Sequence, residues 1–132
     1  MDTNTYLKTG MTGGKSAKVT EENTASSVGS GSLAVFSTPY MVALMESACV
    51  EAVDKALPEG FSTVGTSLEI KHLAATPLGM NVRASCVLTQ IEGRELSFTV
   101  EAFDDAGKIG EGFHKRFIVE NEKFLKKVQS KL

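Results

Sequence analysis

Hydrophobic residues recur every three to four positions between residues 37 and 57, a pattern that predicts one amphipathic helix. Thr38 is placed to cap it, Pro39 fits its first turn, and the sequence PEG after Leu57 ends it. The apolar stripe consists of Met41, Leu44, Met45, Ala48, Ala52 and Ala56. Glu46 lies on the flank of this stripe, away from the other polar residues. Either its carboxylate has a partner there, or it reaches water at the rim of the helix.

Alternation of apolar and polar residues predicts strands in the second half of the chain. In residues 61–72, one face would carry Val64, Thr66, Leu68, Ile70 and His72, and the other Gly65, Ser67, Glu69 and Lys71. Three further segments, residues 81–91, 95–103 and 108–119, are separated by the turn sequences EGR and DDAG and predict an antiparallel meander. The tail, residues 120–132, predicts a short terminal helix.

The first 32 residues contain few large apolar side chains and many Gly, Ser and Thr. We expect residues 1–16 to be flexible, a strand around residues 18–24, and a mobile loop at residues 25–32 that could cover a site.

These elements predict a single α+β domain over residues 1–132, in which a curved, antiparallel five-stranded sheet wraps one long helix and a short helix follows. With 132 residues and 42% hydrophobic content, the chain can bury a core without disulfides or metals. One helix cannot cover such a sheet completely, and its edges stay free for pairing. We therefore expect a homodimer.

Composition excludes several function classes. The net charge of −2, without a basic cluster, argues against nucleic acid or a membrane surface as a partner. No apolar segment is long enough to span a membrane or to act as a secretion signal, so we expect a cytoplasmic protein. Cys49 and Cys86 lack metal-site spacing and are expected to be reduced core residues. Asp104 and Asp105 belong to a turn, and we expect no metal site.

Three polar residues occupy unusual positions: Thr38 at the helix N-terminus, Glu46 on the helix flank and His72 at the end of a strand that faces the helix. A hydroxyl, a carboxylate and an imidazole in one place suit acyl transfer. The alternative is that each is a satisfied structural residue. His114, beside Lys115 and Arg116, is expected on a solvated, charged sheet edge.

The runs STPYMVALMESACVEA, GTSLEIKHLAATPLGM, IEGRELSFTVEAFD and IGEGFHKRFIV resemble the hotdog-fold thioesterases of the fluoroacetyl-CoA thioesterase family over about residues 33–128. The resemblance implies hydrolysis of short acyl-CoA thioesters, with CoA as part of the substrate and no separate cofactor. It assigns catalysis to Thr38, Glu46 and His72. Glu46 would be the nucleophile or the base that activates water, held by Thr38, with His72 transferring a proton. Gly65 would lie against the thioester, and Arg116 matches the basic residue of the last strand.

The chain departs from that family before the helix, where Gly29 and Ser32 stand in place of the aromatic residues of a substrate lid. We therefore expect activity on several short acyl-CoAs. Two rival interpretations remain: a hydratase acting on acyl thioesters, and a non-catalytic module that binds acyl-CoA or another small ligand. Release of free thiol from acyl-CoA separates a thioesterase from a binding module.

Overall fold

Five antiparallel strands form one sheet in the computed structural model, which describes residues 1–132. The strands, in chain order, are β1 (Thr12–Lys18), β2 (Phe61–His72), β3 (Asn81–Glu92), β4 (Glu95–Asp104) and β5 (Gly107–Glu120). Their order in the sheet is β1-β3-β4-β5-β2. The predicted meander is therefore β3-β4-β5, and β1 and β2 form the two edges.

The helices are α1 (Thr3–Tyr6), α2 (Ala25–Val28), α3 (Thr38–Val53) and α4 (Asn121–Gln129). The long helix α3 and the terminal helix α4 confirm the two helices that the sequence predicts. A 3₁₀ turn, Asp54–Ala56, follows α3. None of these helices combines the length and the apolar character that crossing a bilayer would require.

Ser37, not Thr38, is the N-cap of α3. Its hydroxyl accepts a hydrogen bond from the backbone N–H of Tyr40 at 3.3 Å. Pro39 occupies the first turn, as predicted, because its missing N–H would have no partner there. Since Ser37 satisfies the helix end, the hydroxyl of Thr38 is free to bond elsewhere.

The buried face of α3 packs mainly against β1 and β3. Its buried residues are Met41, Leu44, Met45, Ala48, Cys49, Ala52 and Val53. Gly13 of β1 lets the helix approach closely, because a Cβ there would overlap the carbonyl oxygen of Ala48. At the opposite end of the sheet from β1, β2 is an edge strand that pairs only with β5, and its residue Leu68 is 46% exposed. The helix therefore leaves part of this face of the sheet uncovered.

A β-bulge in β2 changes which residues face the helix. Regular pairing with β5 is interrupted between Gly65 and Ser67. Gly65 pairs with Arg116 and Leu68 pairs with His114, and both β5 residues approach the carboxylate of Glu46 on α3. Gly65 therefore shares the helix-side face with Leu68, whereas strict alternation predicts opposite faces. The extra residue of the bulge shifts the alternation by one position.

The expected position of the first strand is wrong. The strand lies at Thr12–Lys18, and Glu21–Asn23, inside the expected strand, forms a 3₁₀ turn. Within residues 1–16, Leu7 is buried and the hydroxyl of Thr3 donates to the carbonyl of Gly93 at 2.6 Å. The small residues of β1 give no apolar alternation, although they are what lets α3 lie close.

Candidate active site

Thr38 and His72 form a direct pair. Thr38 Oγ1 lies 2.7 Å from His72 Nδ1, which joins the first residue of α3 to the last residue of β2. They line a cavity of about 340 Å³ with residues that include Phe36 and Ala74. His72 Nε2 is buried and has no hydrogen-bond partner in the chain. Burial lowers the pKa of His72, and a backbone hydrogen bond with Ala74 opposes this only in part. The imidazole is therefore neutral at pH 7 and can accept a proton.

Glu46 lies in a second cluster. Its Oε2 is 3.6 Å from Arg116 Nη1 and 3.9 Å from His114 Nε2, and its side chain is 37% exposed. A Cβ on Gly65 would stand 2.8 Å from the same oxygen. The carboxylate of Glu46 therefore has a cationic neighbour, open backbone beside it and access to solvent. It belongs to the cluster and is not a chance rim residue.

His114 does not lie on a solvated edge, because β5 runs between β4 and β2 and one of its faces is covered. Its side chain is 1% exposed. Nδ1–H donates to the carbonyl of Ser67 at 2.8 Å, and Nε2 accepts from Arg116 Nη1 at 3.1 Å. Burial lowers the pKa of His114, the bond to Ser67 opposes this, and the charge of Arg116 adds to the lowering.

Arg116 is buried and held from two sides. Nε donates to Thr63 Oγ1 at 2.8 Å and Nη2 donates to the Thr63 carbonyl at 2.9 Å. Thr63 Oγ1 in turn donates to Asp54 Oδ1 at 2.7 Å. Sequence reasoning missed Thr63, Asp54 and the buried His114. The usable signal was the i, i+2 spacing of His114 and Arg116, which puts both on one strand face.

Glu46 and Arg116 line a cleft of about 480 Å³ that runs over the exposed side of α3. Its other lining residues include Lys15, Val50 and Lys55. The lining carries three cationic side chains, those of Lys15, Lys55 and Arg116, and three carboxylates, those of Glu46, Glu51 and Asp54. Its formal charges therefore balance, and the Glu46 carboxylate lies beside the Arg116 guanidinium.

The structure therefore brings together Thr38 with His72, and Glu46 with Gly65 and Arg116. It does not bring Thr38 into contact with Glu46: eight residues of helix, about 12 Å along the axis, separate them. Within one chain the Thr38 hydroxyl is bonded to His72 and not to the Glu46 carboxylate. The two clusters together offer a general acid–base group, a carboxylate nucleophile or base, and a fixed positive charge.

Asp104, Cys49 and Cys86 have contacts that explain them as structural residues. The carboxylate of Asp104 accepts from Thr76 Oγ1 at 2.7 Å and from the backbone N–H groups of Ala106 and Gly107, so it organises the β4–β5 turn. Cys49 and Cys86 are buried free thiols.

Comparison with known proteins identifies the relatives of the chain. Residues 19–122 match the family model described as fluoroacetyl-CoA-specific thioesterase. A fluoroacetyl-CoA thioesterase from Streptantibioticus cattleyicolor is 44% identical over 97 residues, which cover 74% of this chain and 70% of that protein.

Solved structures agree. The fluoroacetyl-CoA thioesterase FlK superposes with a TM-score of 0.88 at 35% identity, covering 96% of this chain and 98% of FlK. A hot-dog-like protein from Thermanaerovibrio acidaminovorans gives a TM-score of 0.89 at 28% identity, covering 100% of this chain and 98% of that one. The chain therefore belongs to the fluoroacetyl-CoA-specific thioesterase family and is a thioesterase of the hotdog fold.

Proposed function

We propose that this thioesterase hydrolyses several short-chain acyl-CoA thioesters, with Glu46 and His72 as catalytic residues and Thr38 orienting His72. The observation that carries the proposal is the half-exposed Glu46 carboxylate, set against the open backbone of Gly65 and 3.6 Å from the Arg116 guanidinium. Structures of FlK variants with fluoroacetate and CoA, and with acetyl-CoA, support a short acyl-CoA as the substrate class.

Two routes fit this arrangement. In one, the Glu46 carboxylate attacks the thioester carbon, CoA leaves as the thiolate, and water hydrolyses the resulting anhydride. In the other, Glu46 takes a proton from water, and that water attacks the thioester carbon directly. In both routes, the departing thiolate needs a proton, and the negative charge that develops on the thioester oxygen needs a hydrogen-bond donor to stabilise it. His72, neutral at the start, would accept the proton that water gives up, directly or through Glu46, and deliver it to the thiolate. Arg116 with the backbone around Gly65 would stabilise the negative charge. Neither route requires a cofactor.

The test is thiol release from a panel of acyl-CoA substrates by wild type, Glu46→Gln and His72→Ala. We expect each variant to lose roughly a hundredfold or more in kcat/KM while it keeps its fold, the usual scale for an acid–base group or nucleophile. Near wild-type turnover by both folded variants would contradict the assignment. Ligand-induced stabilisation without thiol release by wild type would favour a binding module instead.

We also propose that the working form is a homodimer in which each site uses residues of both copies. Within one chain, Glu46 lies two helical turns from the Thr38–His72 pair. A two-fold axis near residue 42 that sets α3 antiparallel to its partner would place Glu46 opposite the partner subunit's Thr38. Support comes from the free β2 edge, the exposed Leu68, and an exposed helix surface that includes Tyr40, Ala43 and Val50.

Mixing inactive variants tests this shared site. When Glu46→Gln and His72→Ala proteins are unfolded together and refolded, mixed dimers would contain one site with both wild-type residues. We expect thiol release to return to about a quarter of the wild-type rate, since half the dimers are mixed and each has one intact site. No recovery, although mixed dimers are present by native mass spectrometry, would place both residues of a site in one chain.

The expected compartment remains the cytoplasm. Two free, buried thiols support this proposal, because reduced cysteines are the rule in that compartment. Fractionation of cells that express the full chain would test it.

A further inference from the structure

Hydrogen bonds link the carboxylate of Asp54 through Thr63 to Arg116, whose guanidinium forms an ion pair with Glu46. Asp54 Oδ1 accepts the hydroxyl proton of Thr63 at 2.7 Å, and Asp54 Oδ2 accepts the Thr63 backbone N–H at 3.3 Å. The Thr63 hydroxyl, its proton committed to Asp54, accepts Arg116 Nε–H at 2.8 Å. The donor and acceptor of each hydrogen bond are thus fixed: Thr63 donates to Asp54, and Arg116 donates to Thr63.

The opposite side of the guanidinium is fixed as well. Nη2 donates to the Thr63 carbonyl at 2.9 Å, and Nη1 donates to Nε2 of His114 at 3.1 Å. His114 can accept because its own proton, on Nδ1, is donated to Ser67. Three of the five N–H groups of Arg116 are therefore engaged, and Nη1, which retains one more N–H, is the atom that lies 3.6 Å from Glu46.

We propose that Asp54 and Thr63 are positioning residues for the hydrolysis, which hold the Arg116 guanidinium at the orientation that serves Glu46 and the negative charge of the reaction. This inference rests on the proposed function. A guanidinium is a planar fork, so its effect depends on direction as well as on charge. Without the Thr63 hydroxyl, Nε–H would be buried without its acceptor, and the fork would rotate to find another. Neither Asp54 nor Thr63 touches Glu46 itself, so both act through Arg116.

The test uses Thr63→Val, which keeps the shape of the side chain and removes the hydroxyl, and Thr63→Ser, which restores it. We expect Thr63→Val to lower kcat by about tenfold with little change in KM, and Thr63→Ser to stay within about threefold of wild type. Thr89→Val is the control for the loss of a strand threonine hydroxyl away from the site: Thr89 is exposed, and its hydroxyl donates to the carbonyl of Ser97 at 3.1 Å. We expect its kcat to equal that of wild type.

Measuring the same substitution in an Arg116→Lys protein separates a positioning role of Thr63 from an effect on protein stability. If Thr63 acts through the guanidinium, Thr63→Val should lower kcat by less than about twofold in an Arg116→Lys protein, because lysine has no Nε–H fork to orient. A full tenfold loss in that background would overturn the inference, and so would wild-type kcat in the single variant.

A spectroscopic signal tests the same contact without turnover and remains readable if Thr63→Val folds poorly at the assay temperature. The chain has three arginines, Arg83, Arg94 and Arg116, so their Nε–H resonances can be assigned by substitution. In wild type and in Asp54→Asn, a conservative change, the Arg116 Nε–H exchange rate is compared by NMR. We expect slow exchange in wild type and exchange at least tenfold faster in Asp54→Asn; equal rates would overturn the role of Asp54.

Loss of activity in Glu46→Gln alongside normal kcat in Thr63→Val would refute this inference and leave the proposed function standing, whereas full activity in Glu46→Gln would remove the basis of both.

Discussion

At Gly65 the absence of a side chain determines what the site can hold. A Cβ there would lie 2.8 Å from Glu46 Oε2, 3.2 Å from His114 Cε1 and 3.5 Å from Arg116 Nη1. The first distance is too short for a stable contact, so either the carboxylate or the strand must move. Because Oε2 is the end of a flexible side chain that is 37% exposed, an alanine at residue 65 would push the Glu46 carboxylate away from its present position.

We predict that Gly65→Ala lowers kcat/KM for acyl-CoA hydrolysis by at least tenfold, because it displaces the Glu46 carboxylate and narrows the space beside it. Gly14→Ala is the matched control. Its Cβ would meet only the carbonyl oxygen of Ala84, at 3.5 Å, an ordinary contact. Steady-state kinetics and thermal unfolding of both variants check this. Equal kinetics for the two variants would show that the space at Gly65 is not used.

The protonation of His72 sets a second prediction at this scale. Because burial lowers the pKa of His72, the ring stays neutral until the pH falls below the usual value of about 6.5. Once protonated, Nδ1 can no longer accept a hydrogen bond from Thr38, and the ring can no longer accept a proton. We expect kcat/KM to be retained through pH 6.5 and to fall only at lower pH.

NMR provides the direct measurement for this prediction. The chain has two histidines, so a His72→Gln variant identifies which Cε1–H signal belongs to His72. A midpoint for His72 at or above pH 7 would contradict the effect of burial.

At the scale of elements, the β4–β5 hairpin depends on one carboxylate. Burial opposes ionisation of Asp104, but hydrogen bonds from Thr76, Ala106 and Gly107 outweigh it and lower the pKa of Asp104. A carboxyl whose pKa is lower in the folded state stabilises that state above its unfolded pKa, about 3.9. This stabilisation is lost as the pH falls through the folded pKa.

We therefore predict that Asp104→Ala lowers the free energy of unfolding by about 1–3 kcal/mol between pH 5 and 8, the range expected for lost buried hydrogen bonds. The difference from wild type should shrink below about pH 4. Urea unfolding at several pH values measures it. Asp105→Ala is the control, because Asp105 is the next residue in the chain and its side chain is exposed. A difference that persists unchanged at pH 3 would contradict the role of the charge.

Elements also show how far sequence reasoning could reach. The strands β2 to β5 and the helix α3 are predictable because large apolar side chains repeat with a clear period. Strand β1 is not, since its helix-side positions include Gly13, which is selected for close approach and not for apolar area. The resemblance to a known family named Glu46, Gly65 and Arg116 together, and the structure explains their meeting by the bulge. Alternation alone assigns Gly65 to the wrong face.

The environment of His114 could not be predicted from its neighbours in sequence. The run of His114, Lys115 and Arg116 resembles a charged surface, and Lys115 is indeed exposed. Burial of the other two follows from strand order, because β5 is paired on both sides and the Glu46 side chain of α3 lies against this face of the strand. Strand order depends on contacts between residues far apart in the chain, which local periodicity does not encode.

At the scale of the whole molecule, the loop between β1 and α3 borders the cavity that contains Thr38 and His72. Ala25 and Ser30 line this cavity, and Leu33 is 70% exposed. The backbone N–H groups of Ala25 and Ser26 donate to the carbonyls of Val35 and Leu33, so the two ends of this loop segment are bonded to each other. Gly29 and Ser32 add little bulk to the loop, so Phe36 is the one aromatic residue that the loop contributes to the cavity lining.

We predict that the enzyme prefers fluoroacetyl-CoA to acetyl-CoA by less than about a hundredfold in kcat/KM, because contacts alone discriminate weakly between acyl groups of nearly equal shape. Competition between the two substrates measures the ratio. Ser32→Phe tests the reason, since added bulk over the cavity should raise the preference. A wild-type ratio of about a thousandfold or more would mean that the loop excludes water without aromatic rings at residues 29 and 32.

The bulge in β2 has a consequence for how this chain tolerates insertion and deletion. Thr66 is the extra residue of the bulge, because its neighbours Gly65 and Ser67 pair with the consecutive residues Arg116 and Lys115. Removing Thr66 would therefore give regular pairing and keep Gly65 on its present face. Removing Val64 while the bulge is kept would instead turn Thr63 to the other face and take it out of the site. When related sequences are aligned across β2, the placement of a gap decides which residues are compared at the site.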